Sequence, residues 1–157
     1  MLQKHEIIRE YEAIVAGITP LNGIINKPIA RHAIKRTQMA VNLEGKNAKT
    51  YYRAIEFYQN YSRLRIRLQT GRTHQIRVHM AYIRHPVIGD PVYCKRRIKI
   101  GKKSSNTIEK EIYHFNRQAL HAVKLTFYHP ITNVMMLVKA PIPEDMTNLI
   151  NTLRKTK

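Results

Sequence analysis

Two hydrophobic periods organise this chain. Between Tyr61 and Thr70, Arg63, Arg65 and Arg67 alternate with Leu64, Ile66 and Leu68. A period of two predicts a strand that buries its aliphatic face and projects three guanidinium groups on the other. Ala48–Tyr58 is similarly rich in Tyr and Ile, and Gln59-Asn60 separates the two runs, which predicts a hairpin. Ile8, Tyr11, Ala13 and Val15 stand among charges before Thr19-Pro20, predicting a strand over Glu10–Ala16. Leu120–Tyr128 and Val134–Lys139 predict a second hairpin around His129-Pro130-Ile131-Thr132-Asn133.

The helical period appears twice. Thr73–Arg84 carries Ile76, Met80 and Ile83 at helical spacing, after Gly71 and before His85-Pro86. Glu144–Arg154 places Met146, Leu149, Ile150 and Leu153 on one face, with acids at its start and bases at its end, as the helix dipole favours. Strands outnumber helices and hairpins dominate, so the expected fold class is α+β, a mixed, largely antiparallel sheet with flanking helices. Lys95–Ile108 fits neither period. It holds six Lys/Arg between residues 95 and 103, with Gly101 and two serines, and reads as a mobile basic loop.

Charge changes this picture most. Lysine and arginine total 28 against 10 acids, a formal net charge of +18. Such a surplus costs a compact fold self-repulsion unless a polyanion neutralises it, and nucleic acid is the obvious candidate. The 43% apolar content supports a packed core and excludes a wholly disordered basic tail. At 157 residues the chain is one domain or most of one. One cysteine, Cys94, excludes an internal disulfide framework and a cysteine-rich zinc site, so a reduced cytosol is the expected location. No apolar run approaches a membrane span, and the first residues lack the apolar stretch of a secretory signal.

Candidate chemistry concentrates in LQTGRTHQIRVHMAYIRHPVIGDPVY, residues 68–93. Gly71 lets the chain turn, and Arg72, His74, Gln75 and Arg77 crowd a helix start, where free N–H groups attract anions. The same residues also fit an ordinary solvated helix face. His74, His79 and His85 suggest a metal only weakly, because Asp90 is the one nearby acid and Cys94 the first thiol. Asp90, between Gly89 and Pro91, reads as a turn former.

The segment GRTHQIRVHMAYIRHPVIGDPVY resembles the signature of RNA pseudouridine synthases of the RluA/RluD type, and REYEAIVAG, PIARHAIKRTQMAV, RQALHAVKLTFYHP and APIPEDM resemble that family's other blocks. The resemblance spans nearly the whole chain and points most closely to the large-subunit (23S) rRNA member. It implies a pseudouridine synthase catalytic-domain fold, isomerisation of uridine to pseudouridine, no metal or organic cofactor, and 23S rRNA as partner. The family's nucleophilic aspartate sits in an HRLD-type block, whereas the two aspartates here are Asp90, in the GDPVY turn, and Asp145, at the start of the terminal helix. The expected organisation is therefore residues 1–157 as the C-terminal portion of a catalytic domain. The small RNA-binding domain and the nucleophile block stand outside this sequence, and an N-terminal half supplied in trans is a possible partner.

By the same resemblance, Tyr11 in REYEA matches the active-site tyrosine that packs on the flipped base; spacing alone reads it as a strand tyrosine at a sheet edge. Arg77 matches the arginine that pairs with the catalytic aspartate, which leads to the expectation that its partner is missing here. Arg72, His74 and Gln75 are candidate loop-fixing residues and RNA contacts, with a purely structural role equally open for His74 and Gln75. Arg31, His32, Lys35 and Arg36, together with Lys95, Arg96, Arg97 and the rest of the 95–103 cluster, are candidate phosphate contacts or solubilising charges. Leu125 reads as core. Two functions compete: an RNA-modifying isomerase complete only with its other half, and a catalytically silent RNA-binding remnant.

Overall fold

The computed structural model describes residues 7–94 and 107–155. Its strands are β1 (Ile8–Ala16), β2 (Asn22–Asn26), β3 (Ile29–Arg31), β4 (Met39–Val41), β5 (Lys49–Phe57), β6 (Tyr61–Leu68), β7 (Leu120–Tyr128) and β8 (Met135–Lys139). Its helices are α1 (Gln75–Tyr82), α2 (Thr107–Tyr113) and α3 (Glu144–Arg154). Six strands form one sheet in the order β2-β5-β6-β1-β7-β8, and β3 and β4 form a separate ribbon. Every ladder among the described residues is antiparallel, so the parallel component of the expected mixed sheet does not appear there.

The middle of the sheet is covered on both faces, and the sequence shows why β1 sits there. Ala13, Ile14 and Val15 are all fully buried in a consecutive run, the pattern of a strand with protein on either side. On one face, Leu64, Ile66 and Leu68 of β6 are buried, aligned with Ala13, Tyr11 and Arg9 of β1. Helix α1 lies on this face, because Thr50, opposite Leu68, bonds both Gln75 and His79. The other face carries Arg63, Arg65 and Arg67. Helix α3 reaches it through Arg154, which holds Glu56 at 2.9 Å, and Glu56 stands opposite Arg63. The apolar face of α3, Met146, Leu149, Ile150 and Leu153, is buried as its period requires.

The alternation in β6 follows the reading from sequence, and the three arginines share one face but not one environment. Glu12 is buried on β1, and its carboxylate takes Arg63 at 2.8 Å and Arg65 at 3.5 Å. One buried acid thus engages two of the three arginines. Arg67 alone of the three has no acidic partner among the described residues. The short strands β2, β3 and β4 lie in a stretch that sequence period left unassigned, and α2 begins at the end of the basic segment. Residues 95–106, including Lys95, Arg96 and Arg97, lie outside the described residues.

Candidate active site

Helix α1 is positioned by polar side chains on its buried side. The Gln75 amide donates to Lys49 O at 2.9 Å and Thr50 Oγ1 at 3.0 Å, and its oxygen accepts from Thr70 Oγ1 and the Arg72 N–H. Gln75 is 2% exposed. A side chain so enclosed, with its amide fully bonded within the chain, fastens the loop to β5. One turn on, His79 is fully buried, 2.7 Å from Thr50 Oγ1 and 2.8 Å from Lys27 O. A carbonyl only accepts, so Nε2 carries the proton and Nδ1 accepts from Thr50. Burial lowers the His79 pKa, and the hydrogen bond to Lys27 opposes that only in part.

His74 caps α1 in the left-handed conformation, at φ 55°. Its Nδ1 lies 2.7 Å from Tyr93 Oη, which also accepts the Met39 N–H at 2.9 Å. Burial and the nearby Arg77 lower the His74 pKa, so the neutral ring accepts the Tyr93 proton. This contact links α1, β4 and the chain after Asp90 in one constellation. His74 is half-buried and takes part in holding the loop, the structural alternative left open for it.

Arg77 is the centre of the constellation. Its Nε donates to Asp90 Oδ2 at 2.7 Å and its Nη2 to Asp90 Oδ1 at 2.9 Å. The guanidinium lies 4.9 Å from the Tyr93 ring centroid, within cation–π range. Asp90, fully buried at its side chain, thus gives Arg77 a carboxylate within this chain, so the arginine neither turns to solvent nor stands unpaired, although Asp90 lies in the GDPVY turn and not in an HRLD-type block. Asp90 also forms the expected turn, accepting the Val92 and Tyr93 N–H groups. Burial pushes the Asp90 carboxyl up, but the Arg77 bonds and the two amides outweigh it and hold it below the usual range. The hydrogen bonds to Asp90 raise Arg77 in turn. Among the described residues the Nη1 edge of Arg77 makes no hydrogen bond, leaving a fork that can accept a second anion.

Tyr11 lies on the same sheet face as α1, opposite Ile66 of β6 and Ala122 of β7. It is half-buried on a central strand, so the sheet-edge reading from spacing fails. The β1–β7 register shifts between Glu10 and Tyr11, an irregularity of the kind that re-aims a side chain. Among the described residues no hydrogen bond joins Tyr11 to Arg77. Leu125 is half-buried on β7, opposite Arg9.

The candidate phosphate contacts split into two places. Arg72 donates through Nε to Asn47 O at 2.8 Å, beside the start of α1. Arg31, at the end of β3, and Lys35 and Arg36, on the loop joining β3 to β4, are exposed. That loop is closed by His32 Nδ1, which accepts the Ile34 and Lys35 N–H groups, and by Arg31 donating to Arg36 O. Among the described residues no group of three metal-binding side chains occurs, and no helix is long and apolar enough to cross a membrane. The residue that sequence reasoning missed is Asp90 as the arginine's partner. Its only signal was rarity, one of two aspartates in the chain.

The family model described as RNA pseudouridylate synthase matches residues 1–82. The chain is 53% identical over 153 residues to the Haemophilus influenzae protein named ribosomal large subunit pseudouridine synthase D, covering 98% of this chain and 47% of that one. The Escherichia coli K12 protein of the same name is 51% identical with the same coverage. The chain thus spans about half the length of the curated relatives it matches. Two solved human structures share the fold. RNA pseudouridylate synthase domain containing 4 superposes with TM-score 0.72 at 20% identity, covering 98% of this chain and 64% of that one. Domain containing 1 gives 0.66 at 23%, covering 99% and 69%. With the matched blocks spread from β1 through α1 and the sheet superposing on theirs, this chain belongs to the RNA pseudouridylate synthase family.

Proposed function

We propose that this chain is the C-terminal portion of the catalytic domain of a large-subunit (23S) rRNA pseudouridine synthase acting in the cytosol. The observation that carries the proposal is the 53% identity, across 98% of the chain, to a protein named for that activity. The reaction exchanges the N1–C1′ bond of uridine for a C5–C1′ bond, so atoms are conserved. It needs a carboxylate, a base for the C5 proton and a pocket for an unstacked uridine. In this reading Tyr11 packs on the uracil ring and its phenol helps deprotonate C5. Arg77, already held by Asp90, offers its free edge to the nucleophilic carboxylate and keeps it ionised. That carboxylate comes from an N-terminal half, either continuous with this chain or a separate polypeptide.

A second reading, a catalytically silent RNA-binding chain, is favoured by one observation. Both aspartates are engaged in the fold: Asp90 with Arg77, and Asp145 with Arg117 at 2.7 Å while its other oxygen accepts the Met146 N–H. The 157 residues alone are thus expected to form no pseudouridine. The test is turnover on unmodified 23S rRNA, first with this chain, then with the N-terminal half of a relative added or fused. Activity of the chain alone would overturn the need for a second half. With the half supplied, Tyr11→Phe and Arg77→Lys are expected to cut the single-turnover rate strongly while leaving RNA affinity close to unchanged. Near-normal rates would remove the two assigned roles.

A further inference from the structure

We infer that Arg9, Lys49, Arg67 and Arg72 form a track for the phosphodiester backbone of single-stranded RNA, leading towards the start of α1. The inference rests on the RNA-binding reading above and deepens it by naming where the strand lies. A groove of about 450 Å³ opens at this end of the sheet, lined by Arg9, Arg67, Tyr51 and Gln69 over Ile8 and Leu68. Of the arginine row on β6, Glu12 pairs with Arg63 and Arg65, so among the described residues the cation without an acidic partner is the one on the groove. Glu10 stands opposite Arg67 across the strand pair, yet its carboxylate is turned to Lys124, at 3.4 Å. Arg9 likewise has no ion pair or hydrogen bond to a side chain among the described residues.

The cations are held, not merely exposed. The Tyr51 ring has Arg67 at 5.2 Å and Lys49 at 5.4 Å from its centroid, and its hydroxyl donates to Gln69 Oε1. Lys49 N–H donates to Thr70 Oγ1, and Arg72 grips Asn47 O, so the chain around 47–49 and the chain around 69–72 are laced together. This fastening sets Lys49 on the Tyr51 ring that lines the groove and ties Arg72, just before the helix carrying Arg77, to the chain leading into β5. Like charges gathered without an acid between them repel, and a polyanion relieves that repulsion. The site suits a single strand: the target uridine must leave its stack, and its neighbours then present phosphates to cations and bases to an aromatic face.

The test measures affinity of the chain for a single-stranded uridine-containing RNA by fluorescence anisotropy across a salt series. Arg9→Ala with Arg67→Ala is expected to weaken binding and make the log–log salt slope shallower by about 1.4, two single-strand phosphate contacts. Lys139→Ala with Lys155→Ala removes the same charge elsewhere and is expected to leave the slope unchanged. Arg67→Gln alone, an exposed side chain with no side-chain hydrogen bond among the described residues, is expected to lower the slope by about 0.7 and serves if the double variant does not fold. Equal losses in the two double variants would reduce the track to net charge and overturn it. An unchanged slope in the Arg9/Arg67 variants, with the parent chain still binding, would overturn the track alone. No binding by the parent chain at low salt would overturn both the track and the RNA-binding reading.

Discussion

Arg77 and Asp90 meet fork to fork, at 2.7 and 2.9 Å, and fix the turn after α1 against the helix itself. The pair is nearly closed to solvent, with side-chain exposures of 11% and 0%. Removing one member of such a pair leaves the other charged and desolvated, which costs about 3–5 kcal/mol. Asp90→Ala is therefore expected to shift the urea midpoint strongly downward. Asp90→Asn, which retains acceptors for the Val92 and Tyr93 amides, is expected to lose less. Equal stability of parent and Asp90→Ala would show that the pair contributes nothing to the fold.

The same carboxylate gives a pH dependence on the acid side. Its folded pKa lies below the ordinary value of 3.8. Its contribution is fully present above that value and is lost as pH falls through the lower folded value. The measurement is the midpoint of urea unfolding between neutral and acid pH, in which Asp90→Asn is expected to lose less stability on acidification than the parent.

His79 acts at higher pH. Its folded pKa lies below 6.5, so the folded protein keeps it neutral while the unfolded chain takes up a proton. Stability is complete above pH 6.5 and declines below it, by at most about 1.4 kcal/mol per pH unit for one group. His79→Gln is expected to cost stability at neutral pH but to flatten this decline, read from thermal melts in a pH series. His74, also lowered, accounts for a residual slope.

Gly89 has φ +77°, and a Cβ there would overlap the Arg117 carbonyl oxygen. Strain and overlap add, so Gly89→Ala is expected to destabilise by at least about 2 kcal/mol in chemical denaturation. A neutral result would mean that the turn and the Arg117 backbone shift freely.

Strand β8 is exposed along its whole length, including Met135, Leu137 and Val138 at 59%, 47% and 52%. It ends the sheet order, with an apolar edge of the kind that templates association. Leu137→Lys or Val138→Lys is expected to reduce light scattering of concentrated chain, with stability changed by less than about 0.5 kcal/mol. Unchanged scattering would place the association surface elsewhere.

Much of the secondary structure follows from local period. The alternation in β6 and the apolar stripe of Glu144–Arg154 need no distant partner to be legible, because backbone geometry alone sets which side chains share a face. The motif around α1 is equally visible, and its matching blocks carry the family. β2, β3 and β4 are short, and their apolar positions are too few to show a period; they pair because the neighbouring chain is brought beside them.

Charge pairing is where tertiary structure decided. Sequence makes Arg63, Arg65 and Arg67 equivalent, but Glu12 lies next to only the first two. Arg77 and Asp90 are separated by a helix and a turn, and nothing in their spacing states that the turn folds back to join them. Gln75 has the composition of a surface residue and is enclosed by Lys49, Thr50, Thr70 and Arg72. A charged or polar group takes whichever partner compensates its lost hydration, and that choice spans segments far apart in sequence. Sequence thus determined the long strands, their faces and the family motif, while the packed sheet decided which cations are left without an acidic partner among the described residues.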